Sequence, residues 1–153
     1  MARILAYKHM DIEDYCFAPS EIPYTRERSR EECLRLMLAD MQRHPSFVLC
    51  AVTGDFGEEI MSMYALAVHV TAPRDVRMMR IRQRAFDQHG ERILEGGDMF
   101  EQEENFFRFA ASRPLARIEQ WAAQLSCPVL RVDGMQPISE NAQWIAAQYA
   151  SLS

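Results

Sequence analysis

Lysine is almost missing from this chain. Lys8 stands alone, and the other sixteen of the seventeen basic residues are arginine. A guanidinium offers a planar fork to two phosphate oxygens, which an ammonium does not, so the skew bears on what the chain can hold. Glycine is scarce too: there are six, and the first is Gly54. No window approaches the roughly 18 consecutive apolar residues of a membrane span. The N-terminal stretch from Met1 to Asp11 meets charge too soon for a secretory signal. The expected compartment is therefore the cytoplasm, with no membrane partner. The four cysteines, at 16, 33, 50 and 127, lack the C-x-x-C spacing of a zinc knuckle or a thioredoxin-like motif. They read as small, partly buried thiols. The histidines at 9, 44, 69 and 89 have no metal-ligand spacing either.

What is present fits one domain. The 153 residues are 48% hydrophobic and 25% charged, which excludes disordered and collagen-like classes. A formal net charge of -5 argues against nucleic acid as a partner, because phosphate-backbone affinity needs clustered positive charge.

Short continuous apolar runs alternate with helical periods. Val48–Val52, Leu66–Val70 and Val129–Val132 are runs bounded by turn residues, and His9–Ile12 is a weaker fourth. Continuous runs suit strands covered on both faces. Ser29 and Glu32 form a capping box ahead of an apolar stripe at Cys33, Leu34, Met37, Leu38 and Met41. Pro73 suits a first helical position, opening a helix to about Phe86. Further stripes run over Leu115–Leu125 and Ile138–Tyr149. Alternating strands and helices predict an α/β fold with an open parallel sheet flanked by helices, in one domain over residues 1–153. The stretch from about 86 to 104 lacks clear periodicity, holds three of the six glycines, and is expected to be a lid. The ten methionines are expected core filler, and His69 a satisfied core histidine inside a strand.

Three constellations can carry chemistry. Asp11, Glu13 and Asp14 end the first strand, where open α/β sheets bind ligands; carboxylates there can hold Mg²⁺ through water or accept an alcohol's proton. The alternative is a solvated acidic turn. Gly54 and Gly57 flank Asp55 after the second strand, allowing close backbone approach and a hydroxyl contact, or forming a plain loop. Arg77, Arg80 and Arg84 share one helix face, followed by Arg92. Like charges on one face repel unless neutralised, either by a bound phosphate or by the acids at 91, 95, 98, 101, 103 and 104.

Five segments together resemble the P-loop small-molecule kinases, the adenylate kinase and shikimate kinase superfamily, and small bacterial proteins described as AAA-family ATPases. These are Tyr7–Tyr15, Val52–Gly57, Thr71–Pro73 with the arginine helix to Arg84, Gly90–Met99, and Cys127–Gly134. The resemblance implies a P-loop NTPase-like fold, ATP and Mg²⁺ as cofactors, and phosphoryl transfer to a small molecule or nucleotide. It implies Asp11 and Glu13 as the catalytic acids near acceptor and metal water. Asp14, Arg30, Gly54 and Asp55 fall on the acceptor side. Arg80, Arg84 and Arg92 are the implied lid arginines on the ATP phosphates, and Asp133 and Gly134 the adenine-side loop.

The departure is the phosphate loop. That superfamily opens with a strand, G-x-x-x-x-G-K-[ST] and a helix, whose backbone N–H groups cradle the phosphates. Here Lys8 is followed by His9 and no such motif exists; Met1–Ala6 resembles only the last turn of the following helix. The absent strand ordinarily lies between those at Val48 and Leu66. Each buried backbone group left unpaired costs about 1–3 kcal/mol, against about 5–15 kcal/mol for a whole domain. The expectation is a chain that repairs this gap or is an incomplete version of a longer one, with little kinase activity as written. The alternative is a non-catalytic binding or regulatory module that dimerises through exposed sheet edges.

Overall fold

The structure is a computed structural model, described for residues 1–152. It is α/β, as expected. The described chain forms two compact units, residues 1–70 with 118 onward, and Thr71–Arg117.

The first unit opens with α1 (Ala2–Leu5), a single turn closed by Ala6 in the left-handed region at φ 55°. There follow β1 (Lys8–Asp11), α2 (Ile12–Cys16), α3 (Arg30–Arg43) and β2 (Phe47–Cys50). β1 and β2 pair in parallel, Lys8 opposite Phe47 and Asp11 opposite Cys50. Half of the expected capping box is present: Ser29 accepts from the Glu32 amide at 3.1 Å and starts α3, while the Glu32 carboxylate lies 3.5 Å from Arg28 Nε. The stripe on α3 then meets the inner face of β1. Met10, Tyr15, Cys33, Met37, Met41 and Ile60 form one buried cluster. Met10 and Met37 are fully buried, as is Met99 of the other unit, and Met41 is buried too; the expectation of methionine core filler holds only for these, since Met63, Met79 and Met135 are exposed.

The same unit continues through α4 (Glu58–Met61), β3 (Ala67–Thr71, whose last residue falls in the second unit), α7 (Ala116–Ala122, which begins there), β4 (Val129–Asp133) and α8 (Ile138–Ala150). β3 pairs with β4. The expected single open sheet is thus two two-stranded sheets; among the described residues no ladder joins β2 to β3. The exposure follows from this. Val52 just beyond β2, and Val68 and Val70 on β3, are 50%, 37% and 58% exposed, where strands covered on both faces were expected.

The second unit is built on α5 (Arg74–His89), which starts directly after Pro73 and runs three residues past Phe86. A 3-10 turn over Gly90–Ile93 and α6 (Phe100–Ser112) follow. The stretch from 86 to 104 is therefore mostly helical. Its apolar anchors, Ile93 and Met99, are buried with Ala85, Phe107 and Ala110, but a turn separates them and hides their period in the sequence. Gly97 is required there, because a Cβ would collide with the Arg92 carbonyl.

Candidate functional site

The acidic constellation sits where the sequence put it, at the end of β1, but Asp11 has a structural task. Its Oδ1 accepts from the Glu13 amide at 3.1 Å and caps α2. Glu13 and Asp14 are exposed. Arg30, the first residue of α3, is exposed as well. Among the described residues no group of three or more His, Cys, Asp or Glu side chains is arranged to hold a metal.

Gly54 is needed for packing. A Cβ there would lie 2.6 Å from Cζ2 of Trp121, and the Gly54 carbonyl accepts from the Tyr64 hydroxyl at 3.0 Å. Burial pushes the Tyr64 phenol above its ordinary value. Asp55 is exposed beside this joint. Asp133 folds a turn: its carboxylate accepts from the Met135 amide at 2.9 Å and from Gln136 Nε2 at 3.3 Å, and its carbonyl from Asn141 at 2.8 Å. Gly134 sits inside that turn. The backbone geometry at Gly54 and Asp133 is thus accounted for by the fold.

His69 on β3 has a side chain 11% exposed, with Nδ1 3.4 Å from Glu119 Oε1. Arg131 on β4 grips the same carboxylate with both Nη atoms, at 2.8 and 2.6 Å. Glu119 is held below the usual carboxylate range by that fork. The histidine has partners, as expected, but they are exposed and it lies at the edge of the fold and not in the core.

The arginines divide. Arg92 forms a fork on Asp98, at 2.9 and 2.8 Å, and keeps that carboxyl below its ordinary value. Arg82 donates to Glu104 at 2.7 Å and lies 4.2 Å over the Phe107 ring. Both acids belong to the run that the sequence offered as neutralising partners. Arg80 and Arg84 are exposed on α5.

Arg77 differs. Its Nε is buried with no hydrogen-bond partner among the described residues. Arg113, after α6, stacks 4.7 Å over the Phe109 ring. Burial, and then the charge of Arg77, hold the Arg113 guanidinium below its ordinary value. Neither forms an ion pair among the described residues. Nearby Arg74 donates Nε to the Ala111 carbonyl at 3.0 Å, tying α5 to the end of α6. The second unit thus holds two half-buried, mutually repelling cations and one buried N–H with no acceptor among the described residues. Arg77 was visible in the sequence as part of the arginine face. Arg113 carries no signal beyond standing before Pro114.

Two structural groups were also missed. Tyr15 donates to Asp40 Oδ2 at 2.6 Å, and Lys8 and Arg43 flank that carboxylate at 3.8 and 3.3 Å. Arg28 points Nη1 into the carbonyls of Asp14, Tyr15 and Phe17, closing the end of α2. Both pairings span sequence gaps that no periodicity links.

No family model matches the chain, and no solved structure matches it. It is similar to a Bacillus subtilis (strain 168) protein described as "Uncharacterized protein YqaC", 28% identical over 149 residues, a match covering 92% of this chain and 82% of that protein. Among the described residues no helix is long and apolar enough to cross a membrane.

Proposed function

We propose that the chain binds a phosphorylated small molecule through its second unit, with Arg77 and Arg113 taking the phosphoryl oxygens. The observation that carries this reading is the half-buried arginine pair without a carboxylate. A guanidinium pair kept close and partly dry is unfavourable until an anion joins it. Two planar forks and one buried N–H match a tetrahedral group with several charged oxygens better than a single carboxylate. A nucleoside triphosphate is the ligand class that the resemblance to P-loop small-molecule kinases implies. The β1–β2 and β3–β4 pairs, unjoined by a ladder, accord with a kinase-like α/β sheet lacking its central strand.

Phosphoryl transfer asks for more than binding. It needs a phosphate cradle and a positioned acceptor. The sequence has no G-x-x-x-x-G-K-[ST], and Asp11, the implied acceptor acid, is engaged as a helix cap. The reading is therefore ligand binding without turnover by this chain, and the proposed binding uses no metal. Calorimetric titration with ATP and with pyrophosphate tests it. The wild type binds both, and Arg77→Gln and Arg113→Gln each weaken binding at least about 10-fold, the loss of a charge-assisted contact. Absence of binding by the wild type overturns the reading. ATP turnover by the purified chain, abolished by Arg84→Ala, overturns its non-catalytic half.

A second reading rests on the exposed valines of β3 and the stretch after β2. Edges left without a ladder partner can pair with a second copy of the chain. Light scattering then finds a dimer that Val70→Lys dissociates; a monomer at all concentrations removes this reading.

A further inference from the structure

The sequence read the cysteines as small, partly buried thiols, and two of them touch. Cys16 ends α2 and Cys33 lies in the first turn of α3, 17 positions later, with Sγ atoms 3.0 Å apart. A disulfide needs about 2.0 Å, so closure asks for roughly 1 Å of side-chain movement. The two thiols differ in access. Cys33 is 4% exposed, while Cys16 is half-buried at the edge of the same cluster. The remaining two are exposed Cys50 and half-buried Cys127.

We propose that Cys16 and Cys33 form a modification site that closes to an intramolecular disulfide when the chain meets a small-molecule disulfide such as oxidised glutathione. Cys16, the accessible partner, loses its proton to solvent and attacks one sulfur of the oxidant. A mixed disulfide forms and one small thiolate leaves. Cys33 then gives up its proton and attacks the Cys16 sulfur, forming the protein disulfide and expelling the second small thiolate. Two protein thiols are oxidised, and the oxidant's S–S bond is reduced to two thiols. Burial, helped by the hydrogen bond with Cys16, pushes the Cys33 thiol up to about 12, which suits the slower, resolving role.

The bond would brace a segment already pinned at both ends. Phe17 and Glu27 form an antiparallel bridge, and the Arg28 amide donates to the Cys16 carbonyl at 2.7 Å. Closing a loop of this length restricts the unfolded chain and raises stability.

The experiment is a tryptic map without reductant, after incubating the folded chain with oxidised glutathione and alkylating free thiols. Arg26, Arg28 and Arg30 lie between the two cysteines, so cleavage separates their peptides unless they are cross-linked. The expected result is a linked pair, residues 9–26 with 31–35, Cys50 and Cys127 each alkylated or carrying one glutathione, and a melting temperature raised by roughly 5–10 °C. The Cys50→Ser/Cys127→Ser double variant gives the same link and the same shift. A persistent glutathione adduct on Cys16, alkylation of both Cys16 and Cys33, or links to Cys50, Cys127 or a second chain would each overturn the proposal.

Discussion

The β1–β2 pair and the β3–β4 pair are each two short strands, and they are covered very differently. β1 lies under α3, and the interface closes on Met10, Met37 and Cys33 at 1%, 0% and 4% exposure. Its polar fittings are complete too: Asp11 caps α2, Arg28 takes the carbonyls at that helix's far end, and Tyr15 with Lys8 and Arg43 surrounds Asp40. β3 and β4 bury Val132 but leave Val68 and Val70 in the open. Their polar link, Arg131 with Glu119 and His69, sits at the surface, where ion pairs add little. Stability is therefore concentrated on the β1–α3 side. The β3–β4 side keeps apolar positions that nothing in the described chain covers.

The largest test of that contrast is a matched pair of truncations. Met37→Ala should cost about 2–5 kcal/mol in chemical denaturation, because the fully buried side chain leaves a cavity. Val70→Ala should cost less than about 0.5 kcal/mol. Equal losses would mean that β3 is covered after all. Next in size is Gly54→Ala, expected to lower stability by about 1–3 kcal/mol. The new Cβ meets the rigid Trp121 ring, and one of the two must move. An unchanged denaturation midpoint would show that the joint is loose.

The smallest effect is a change of pH profile. The Tyr15 hydroxyl, then Lys8 and Arg43, hold the Asp40 carboxyl below its ordinary 3.8, so its stabilisation is present above that value and fades as pH falls through the lower folded value. Tyr15 is shifted the other way, upward from 10.0, by burial and then by Asp40. Its contribution is present below pH 10 and is lost as pH rises through the raised folded value. Asp40→Asn should flatten the acid limb of a stability profile while costing about 1–2 kcal/mol near neutrality. An acid limb as steep as the wild type's would place the acid sensitivity elsewhere.

The elements were legible where signals are local. The Ser29 cap and the α3 stripe follow from residues within a few positions of one another, and the weak strand expected at His9–Ile12 forms one residue earlier, at Lys8–Asp11. The break between the strand pairs was legible only as a question, because a sequence shows apolar strands and not their neighbours. The helical character of 86–104 was hidden by a turn between Ile93 and Met99. At the arginine face, the sequence singled out Arg77, Arg80, Arg84 and Arg92 but not Arg113. Arg92 pairs with Asp98, whereas Arg77 and Arg113 form no ion pair among the described residues and the charge of Arg77 reaches Arg113; that division rests on contacts across the α5–α6 hairpin, which periodicity does not show.

The central claim is that the buried Arg77 Nε–H awaits a phosphoryl oxygen, and nuclear magnetic resonance of the arginine Nε–H groups reads it directly. Titration with pyrophosphate should shift the Arg77 Nε–H signal saturably while that of exposed Arg84 stays in place. An unmoved Arg77 signal, or equal unsaturated drift at both arginines, would contradict the claim.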